Sequence, residues 1–314
     1  MIKEVQKLIN NYNKVTIITH LNPDADTIGT ALGIYGLLKN SGKQVEVVNQ
    51  GSNLPMNLDF LPYFSKIKNK MNYTNSLIVS CDTGSIDRLG FDLQGRAILN
   101  IDHHKSNTHF GLINIIKSDF VSASQVAYEL FKEEYTITKE VATCFYTALV
   151  SDTQYFTTLN VSTEVFDIAS EMMSYGVDIS NVVRNLNQRR SLASLRILSS
   201  TLNTLELYED GTLAIMLSSR DKMLEAGAGI LDTVGIIDYG ISLITVKIAI
   251  ILIELDGIIR VSLRSKCVDV STLAIFFGGG GHHNVAGFEL SDTTVEELKE
   301  MIKKEIKERG LLNA

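Results

Sequence analysis

The chain is short of cysteine, with three thiols, Cys81, Cys144 and Cys267, in 314 residues. They are odd in number and far apart, so neither a disulfide framework nor a thiolate zinc site is indicated. A reducing, cytoplasmic setting is the expectation. Basic charge is also scarce: 29 lysines and arginines face 36 aspartates and glutamates, for a net charge of -7, and neither side of Asn185 is basic on its own. This argues against a protein that coats long nucleic acid through a positive surface, and leaves short or small anionic substrates. Long hydrophobic runs are missing as well. The most apolar window, Ile241 to Leu255, contains Ser242, Thr245, Lys247 and Glu254 and is too short to cross a bilayer, so it is read as buried strand and no membrane partner is expected. The opening MIKEVQKLINNYNKV is amphipathic, with Glu4 and Asn10 where a secretory leader would need an unbroken apolar stretch. Fixed-period repeats, low-complexity tracts and heptads are lacking too, which leaves an oligomeric scaffold without support. A homodimer stays open.

What is present is core-forming material. Hydrophobic residues make up 45% of the chain, and its length suits about two domains. In the first half, β-rich runs at Val15 to Thr19, Gln44 to Val48, Leu77 to Ser80 and Ala97 to Ile101 alternate with helical periodicity, as from Thr27 to Asn40. Helical segments follow over Ser122 to Glu134, Lys139 to Val150 and Thr163 to Tyr175. The fold class is therefore α/β, with a mostly parallel sheet flanked by helices over residues 1–185. Proline-free periodicity from Asn181 to Leu205 predicts a helical connector, bounded as 186–208. A smaller α+β domain, 209–314, would hold strands at Thr212 to Leu217, Ile241 to Leu255 and Ile258 to Arg264. The last two are joined by Asp256-Gly257, a hairpin signal. A helix over Ser271 to Phe277, a glycine run from Gly278 to Gly281 and a final helix over Val295 to Arg309 complete it.

Four clusters in the first half place acids and histidines where apolar elements end. HLNPDAD, residues 20–26, follows a strand; Asp82 ends SLIVSC; Asp102-His103-His104 ends AILNI; Asp152 ends the helical run ATCFYTALV. Taken singly, Asp24 reads as a helix N-cap and Asp152 as a polar helix terminus. Taken together, groups at the carboxyl ends of adjacent parallel strands point into the crevice where open α/β sheets bind ligands. The set His20, Asp24, Asp26, Asp82, His103 and Asp152 mixes oxygen and nitrogen donors without thiolate, which suits manganese or magnesium better than structural zinc. Six ligands are too many for one cation that must keep open positions. Two cations roughly 3.5 to 4 Å apart, sharing a carboxylate, would clamp an in-line phosphoryl displacement.

HLNPDAD, the aspartate of VSCDT, NIDHH and VSDT, in this order, resemble the four motifs of the DHH phosphoesterase superfamily. The segment VSLRSKCVDVSTLAIFFGGGGHHNVAGFEL is similar to the DHH-associated C-terminal domain, so the resemblance spans nearly the whole chain. It implies two manganese ions, with magnesium or cobalt as substitutes. One would be held by His20, Asp24 and Asp82 and the other by Asp26, Asp82, His103 and Asp152, with Asp82 as the bridge and a bridging hydroxide as nucleophile. His104 would contact the scissile phosphate or help protonate the leaving oxygen, with Asp102 orienting the histidine pair. Arg88 lies near enough to Asp82 in sequence to face the crevice, and a surface role fits it equally. In the second domain Arg264 would grip the phosphate that is not cleaved, assisted by Ser262 or Ser265. Backbone N–H groups of Gly279, Gly280 and Gly281, with donors from His282 and Asn284, would approach a phosphate or base. Val285 and Cys267 depart from the family pattern without touching a proposed ligand.

Nanoribonuclease-type members of the family act on very short single-stranded RNA or DNA oligonucleotides and on 3'-phosphoadenosine 5'-phosphate (pAp). That activity is the expectation, with substrates held in an interdomain cleft that selects short molecules. A cyclic di-AMP or pApA phosphodiesterase uses the same motifs, and sequence alone does not separate the two. A catalytically silent nucleotide sensor is the reading of another class; the intact set of carboxylates and imidazoles argues against it.

Overall fold

The computed structural model describes residues 2–51 and 54–312. It divides into two compact units, one ending at Arg189 and the other beginning at Arg190.

The first unit opens with helix α1 (Ile2–Asn10), strand β1 (Lys14–Ile18), helix α2 (Ala25–Asn40) and strand β2 (Gln44–Val48). Four further strands follow, β3 (Ile67–Lys68), β4 (Leu77–Cys81), β5 (Ile98–Asp102) and β6 (Ile113–Ile116). Helices α3 (Ala123–Phe131), α4 (Lys139–Asp152), α5 (Thr163–Ser174) and α6 (Ile179–Gln188) close the unit. The sheet order is β3-β2-β1-β4-β5-β6, and every pairing is parallel. Strand order therefore reverses between β1 and β4, and the crevice beyond the carboxyl ends of these two strands is the ligand position of such sheets. Period-two alternation divides the strands between two layers. Ile17, Val47 and Val79 join the main core with α2, α3 and α4, whereas Ile18, Val48 and Ile78 pack against Leu89, Leu93 and Ile98 on the opposite face.

Helix α2 is buried from Ala25 to Leu38, which its all-round apolar sequence explains. It lies so close to α4 that a Cβ on Gly29 would come within 2.6 Å of Cys144 O, and one on Gly33 within 2.4 Å of the Phe145 ring. These glycines fix the approach of the two helices whose ends carry Asp26 and Asp152.

The second unit contains α7 (Leu192–Leu202), β7 (Glu206–Tyr208), β8 (Leu213–Ser218), α8 (Arg220–Ala226) and α9 (Ile236–Ser242). It continues with β9 (Ile248–Glu254), β10 (Ile258–Ser265), α10 (Ser271–Phe276), β11 (Gly280–His282), β12 (Val285–Ser291) and α11 (Val295–Glu308). Its sheet runs β11-β12-β10-β9-β8-β7, antiparallel except for the β8–β9 pair. Strand β9 is apolar from Ile248 to Ile253 because both its faces are covered. Ile248, Ile250 and Leu252 meet the α10 and α11 side, and Ala249, Ile251 and Ile253 the α7 to α9 side.

Four local features differ from the sequence reading. Strands β3, β6, β7 and β12 went unforeseen; the first three are short edge strands of two, four and three residues, and β12 follows the glycine run. The window from Ile241 to Leu255 is not one strand, since its first two residues end α9 and the strand begins at Ile248. Apolar periodicity does not separate a short buried helix from a strand. Helical periodicity over 181–205 is divided between α6 and α7. The glycine run, to which the sequence reading assigns no element, ends in an edge strand, β11 pairing Gly280 with Gly287 and His282 with Val285.

Candidate metal centre

Strand β1 ends one residue before Thr19-His20, and the turn that follows delivers Asp24 and Asp26 to the start of α2. His20 Nδ1 lies 2.7 Å from Leu21 O. A carbonyl oxygen can only accept, so Nδ1 carries the proton and Nε2 presents its lone pair. That Nε2 faces Asp82 Oδ2 at 3.7 Å and Asp24 Oδ1 at 4.0 Å. Asp24 caps α2 at the same time, accepting from Thr27 N at 3.0 Å.

Asp82 follows β4 in a left-handed conformation, φ 56°, with its N–H bonded to Ile101 O. The conformation costs a non-glycine residue about 1 kcal/mol or more. It directs the two carboxylate oxygens toward different imidazoles, Oδ2 toward His20 and Oδ1 toward His103 Nε2 at 3.5 Å. His103 Nδ1 is 3.3 Å from Phe120 O, so its Nε2 is the inward nitrogen as well, 3.5 Å from Asp152 Oδ2 and 3.8 Å from Asp26 Oδ2. Asp26 is buried and held by the first turn of α3: Ala123 N donates to Oδ2 at 2.7 Å and Ser124 N to Oδ1 at 3.2 Å. The unsatisfied N–H groups of a helix start suit a carboxylate.

Asp152 is the last residue of α4, and Thr153 fastens the chain beyond it. Its hydroxyl donates to Leu149 O at 2.7 Å and accepts from Phe156 N at 3.1 Å. Three consecutive left-handed residues, Gln154, Tyr155 and Phe156, then reverse the chain.

The six side chains named from the sequence thus converge, and ligand atoms of three sets lie within 4.8 Å of one another: His20 with Asp24 and Asp82; Asp26 with His103 and Asp152; Asp82 with His103 and His104. Electrostatics show the demand of the cluster for positive charge. Burial raises Asp26 well above the usual carboxylate range, and the nearby charges of Asp82 and Asp152 add to it. Burial also raises Asp152, to about 7, with Asp82 and Asp24 contributing. Burial would lower His103, but its hydrogen bond to Asp82 and the surrounding carboxylates raise it to about 10. A proton on His103 thus stands where positive charge is needed. Four carboxylates and two imidazoles with their Nδ1 atoms committed to carbonyls are a donor set fitted to divalent cations.

His104 and Asp102 sit beside this set. His104 Nδ1 is 2.7 Å from Asp102 Oδ1 and 3.6 Å from Asp82 Oδ1. Asp102 is fully buried, takes the His103 N–H at 2.8 Å on the same oxygen and the Asn107 amide at 2.5 Å on Oδ2. Arg88, on a short 3-10 helix, brings Nη2 to 3.5 Å from His20 Nδ1, and its carbonyl accepts from Leu21 N. Sequence reasoning missed Asn107, Phe120 and the Ala123–Ser124 amides. The last three act through backbone atoms, which leave no side-chain signal.

In the second unit, Ser262 and Arg264 share one partly exposed face of β10, whereas Ser265 lies on the buried face. The Ser265 hydroxyl accepts from Cys267 N and Val268 N, so the structure does not bring it together with Arg264. Arg264 Nε is 3.7 Å from Asp238 Oδ1 on α9. Two of the run's glycines have a packing reason: a Cβ on Gly279 would lie 2.2 Å from Gly287 O, and one on Gly281 2.4 Å from Ala286 Cα. Gly280 alone of the three faces open space. His282 is on the exposed edge strand, and Asn284 in the following turn accepts from Ser265 N through its backbone carbonyl.

Carboxylates and imidazoles gathered without thiolate at the switch point of a parallel sheet are the site of a metal-dependent hydrolase of α/β architecture. The chain belongs to the DHH family of phosphoesterases: residues 14–149 match the DHH family, N-terminal domain, and residues 231–308 match the DHHA1 domain. It is a hydrolase acting on phosphoester bonds. A relative from Thermus thermophilus, the bifunctional oligoribonuclease and PAP phosphatase NrnA, is 28% identical and is covered over 95% of its length by 99% of this chain. The cyclic-di-AMP phosphodiesterase PdeA of Listeria monocytogenes is 27% identical over 95% of this chain but only 48% of its own length. Among solved structures, an exopolyphosphatase-related protein from Bacteroides fragilis superposes with a TM-score of 0.88 at 27% identity, covering 98% of this chain and 96% of that one. Among the described residues no helix is long and apolar enough to cross a membrane.

Proposed function

We propose that this chain hydrolyses short oligonucleotides to mononucleotides and pAp to AMP, using two manganese ions. The observation that carries the reading is Asp82, whose two oxygens face His20 on one side and His103 on the other. His20, Asp24 and Asp82 would hold one ion; Asp26, Asp82, His103 and Asp152 would hold the second. Divalent cations bound there supply a lowered pKa for water and neutralise charge on the phosphoryl oxygens. The names of full-length relatives such as that of Thermus thermophilus support the substrate class.

The side chains around the ions do the positioning and the proton transfer. With Nδ1 committed to Asp102, His104 uses Nε2 to exchange a proton, and delivers it to the leaving oxygen. Burial would lower the His104 imidazole, but Asp102 and Asp82 together raise it, which favours the protonated form an acid needs. Arg88, exposed beside His20, is suited to a non-bridging phosphate oxygen. Arg264 binds the phosphate that is not cleaved, with Ser262 on the same face. Gly280, His282 and Asn284 line its approach.

A panel tests this: purified protein with manganese, offered pAp, pApA, cyclic di-AMP and RNA from two to about twenty-four nucleotides, ranked by kcat/KM. Highest values on pAp and dinucleotides are expected. Equal values on dinucleotides and long RNA would overturn the short-substrate reading, and preference for cyclic di-AMP would favour the activity named for the Listeria relative. Binding of pApA without manganese-dependent release of AMP would identify a sensor. Asp82→Ala is expected to lower kcat/KM by more than about 100-fold, since it removes a ligand common to both ions.

A further inference from the structure

Asn107 lies on the loop after β5, 8% exposed, and its amide is committed in every direction. Its Oδ1 accepts from the His109 backbone N–H at 2.7 Å and from Asn100 Nδ2 at 3.1 Å. A backbone N–H can only donate, so this contact decides which end of the amide is oxygen. The nitrogen therefore points the other way. Nδ2 gives one proton to Thr83 O at 3.0 Å and the other to Asp102 Oδ2 at 2.5 Å. Thr83 directly follows Asp82, and Asp102 is the carboxylate bonded to His104. One amide nitrogen therefore bridges the loops that follow β4 and β5.

The network continues inward. Asn100 on β5 donates to Asn107 and accepts from the Ser80 hydroxyl on β4 at 3.1 Å. A buried chain of this kind holds a unique geometry only while each member is satisfied. Asp102 Oδ1 receives His103 N and His104 Nδ1, so Asn107 supplies the contact that fixes the other oxygen and hence the plane of the carboxylate.

We propose that Asn107 is a positioning residue for phosphoester hydrolysis: by clamping Asp102 to the Asp82 loop, it sets the orientation in which His104 meets the leaving oxygen. This rests on the role given to His104 above. A turn residue alone would behave differently. The Oδ1 contact to His109 N is an Asx turn, which aspartate makes as well as asparagine. Asn107→Asp therefore preserves the turn and the bond from Asn100, and replaces the two donated protons by a charged acceptor set against Thr83 O and Asp102.

The test is a double-mutant cycle in the full chain with manganese, comparing wild type, Asn107→Asp, His104→Ala and the pair on pAp. Asn107→Asp is expected to lower kcat about 10- to 100-fold, as loss of a partner to a ligand-bearing residue does elsewhere, while KM changes less than about threefold. Added to His104→Ala it is expected to lower kcat by less than about threefold further. Asn107→Ala, which removes the amide without adding charge, gives the same pattern should the aspartate variant fail to fold. Wild-type kcat in both Asn107 variants would overturn the proposal, and so would losses that multiply with that of His104→Ala, which would leave the role of His104 standing. Wild-type kcat in His104→Ala itself would remove both.

Discussion

At Asp82 the sequence places a carboxylate where a side chain prefers not to be, left-handed at φ 56° and buried at 3% exposure. Burial would raise its pKa, yet the neighbouring His103 and His20 imidazoles outweigh that and hold it below the usual carboxylate range. Asp82 therefore stays ionised and protons are held by its neighbours. His103 is raised to about 10 and Asp152 to about 7, so near neutrality the first is protonated and the second is divided between its two forms. A metal ligand must be deprotonated, and binding must expel these protons. The sign follows: manganese affinity rises with pH, through the loss of the Asp152 proton near 7 and on toward the His103 value near 10. Calorimetric titration in buffers of different ionisation enthalpy should count at least one proton released per binding event at pH 7. An affinity flat between pH 6 and 8, with no proton released, would show that these groups are not ligands.

At the scale of elements, the centre depends on α2 and α4 lying closer than ordinary helices do. Gly29 sits where a Cβ would reach 2.6 Å from a backbone carbonyl, Cys144 O, and 2.8 Å from Ala148 Cβ. Neither neighbour is a flexible side-chain end, so Gly29→Ala must move a helix. Overpacking of this kind costs about 1–3 kcal/mol. The displacement would separate Asp26 at the start of α2 from Asp152 at the end of α4. The expected result is a lower melting midpoint together with weaker manganese binding; a lower midpoint with unchanged binding would mean that α4 shifts without carrying Asp152. The same elements show what the sequence made legible. Strands β1, β4 and β5 could be read because β-branched apolar runs end abruptly in His20, Asp82 and Asp102, and the motif order pointed to the family. Edge strands β3 and β6 were too short for period-two alternation to register. The α3 start that holds Asp26 does so through backbone amides some hundred residues away along the chain, a relation no local pattern encodes. Gly279 and Gly281 looked like ligand-binding glycines, but their neighbours on β12 already require a missing side chain.

At the scale of the molecule, each unit buries a core of its own. All six side chains of the metal cluster belong to the first unit, whereas Arg264 and the glycine edge strand belong to the second. With the roles proposed for them, metal binding and substrate binding are separable properties. Residues 1–189 expressed alone are expected to bind manganese with the affinity of the full chain, because the ligands, the carbonyls that orient His20 and His103, and the α3 amides are all retained. Hydrolysis of pAp should fall sharply, since the cation proposed for the distant phosphate is gone. A desolvated charged hydrogen bond is worth roughly 2–5 kcal/mol when one partner is removed, which places the loss in kcat/KM at about 30-fold or more. Arg264→Ala in the full chain should reproduce most of that loss through KM while leaving manganese affinity unchanged. This follows because Arg264 is not among the residues of the metal cluster, and its ion pair is with Asp238 within its own unit. If the isolated first unit hydrolysed pAp with the kcat/KM of the full chain, the second unit would have no part in substrate binding. Selection for short substrates would then have to arise within the DHH unit itself, around Arg88 and His104.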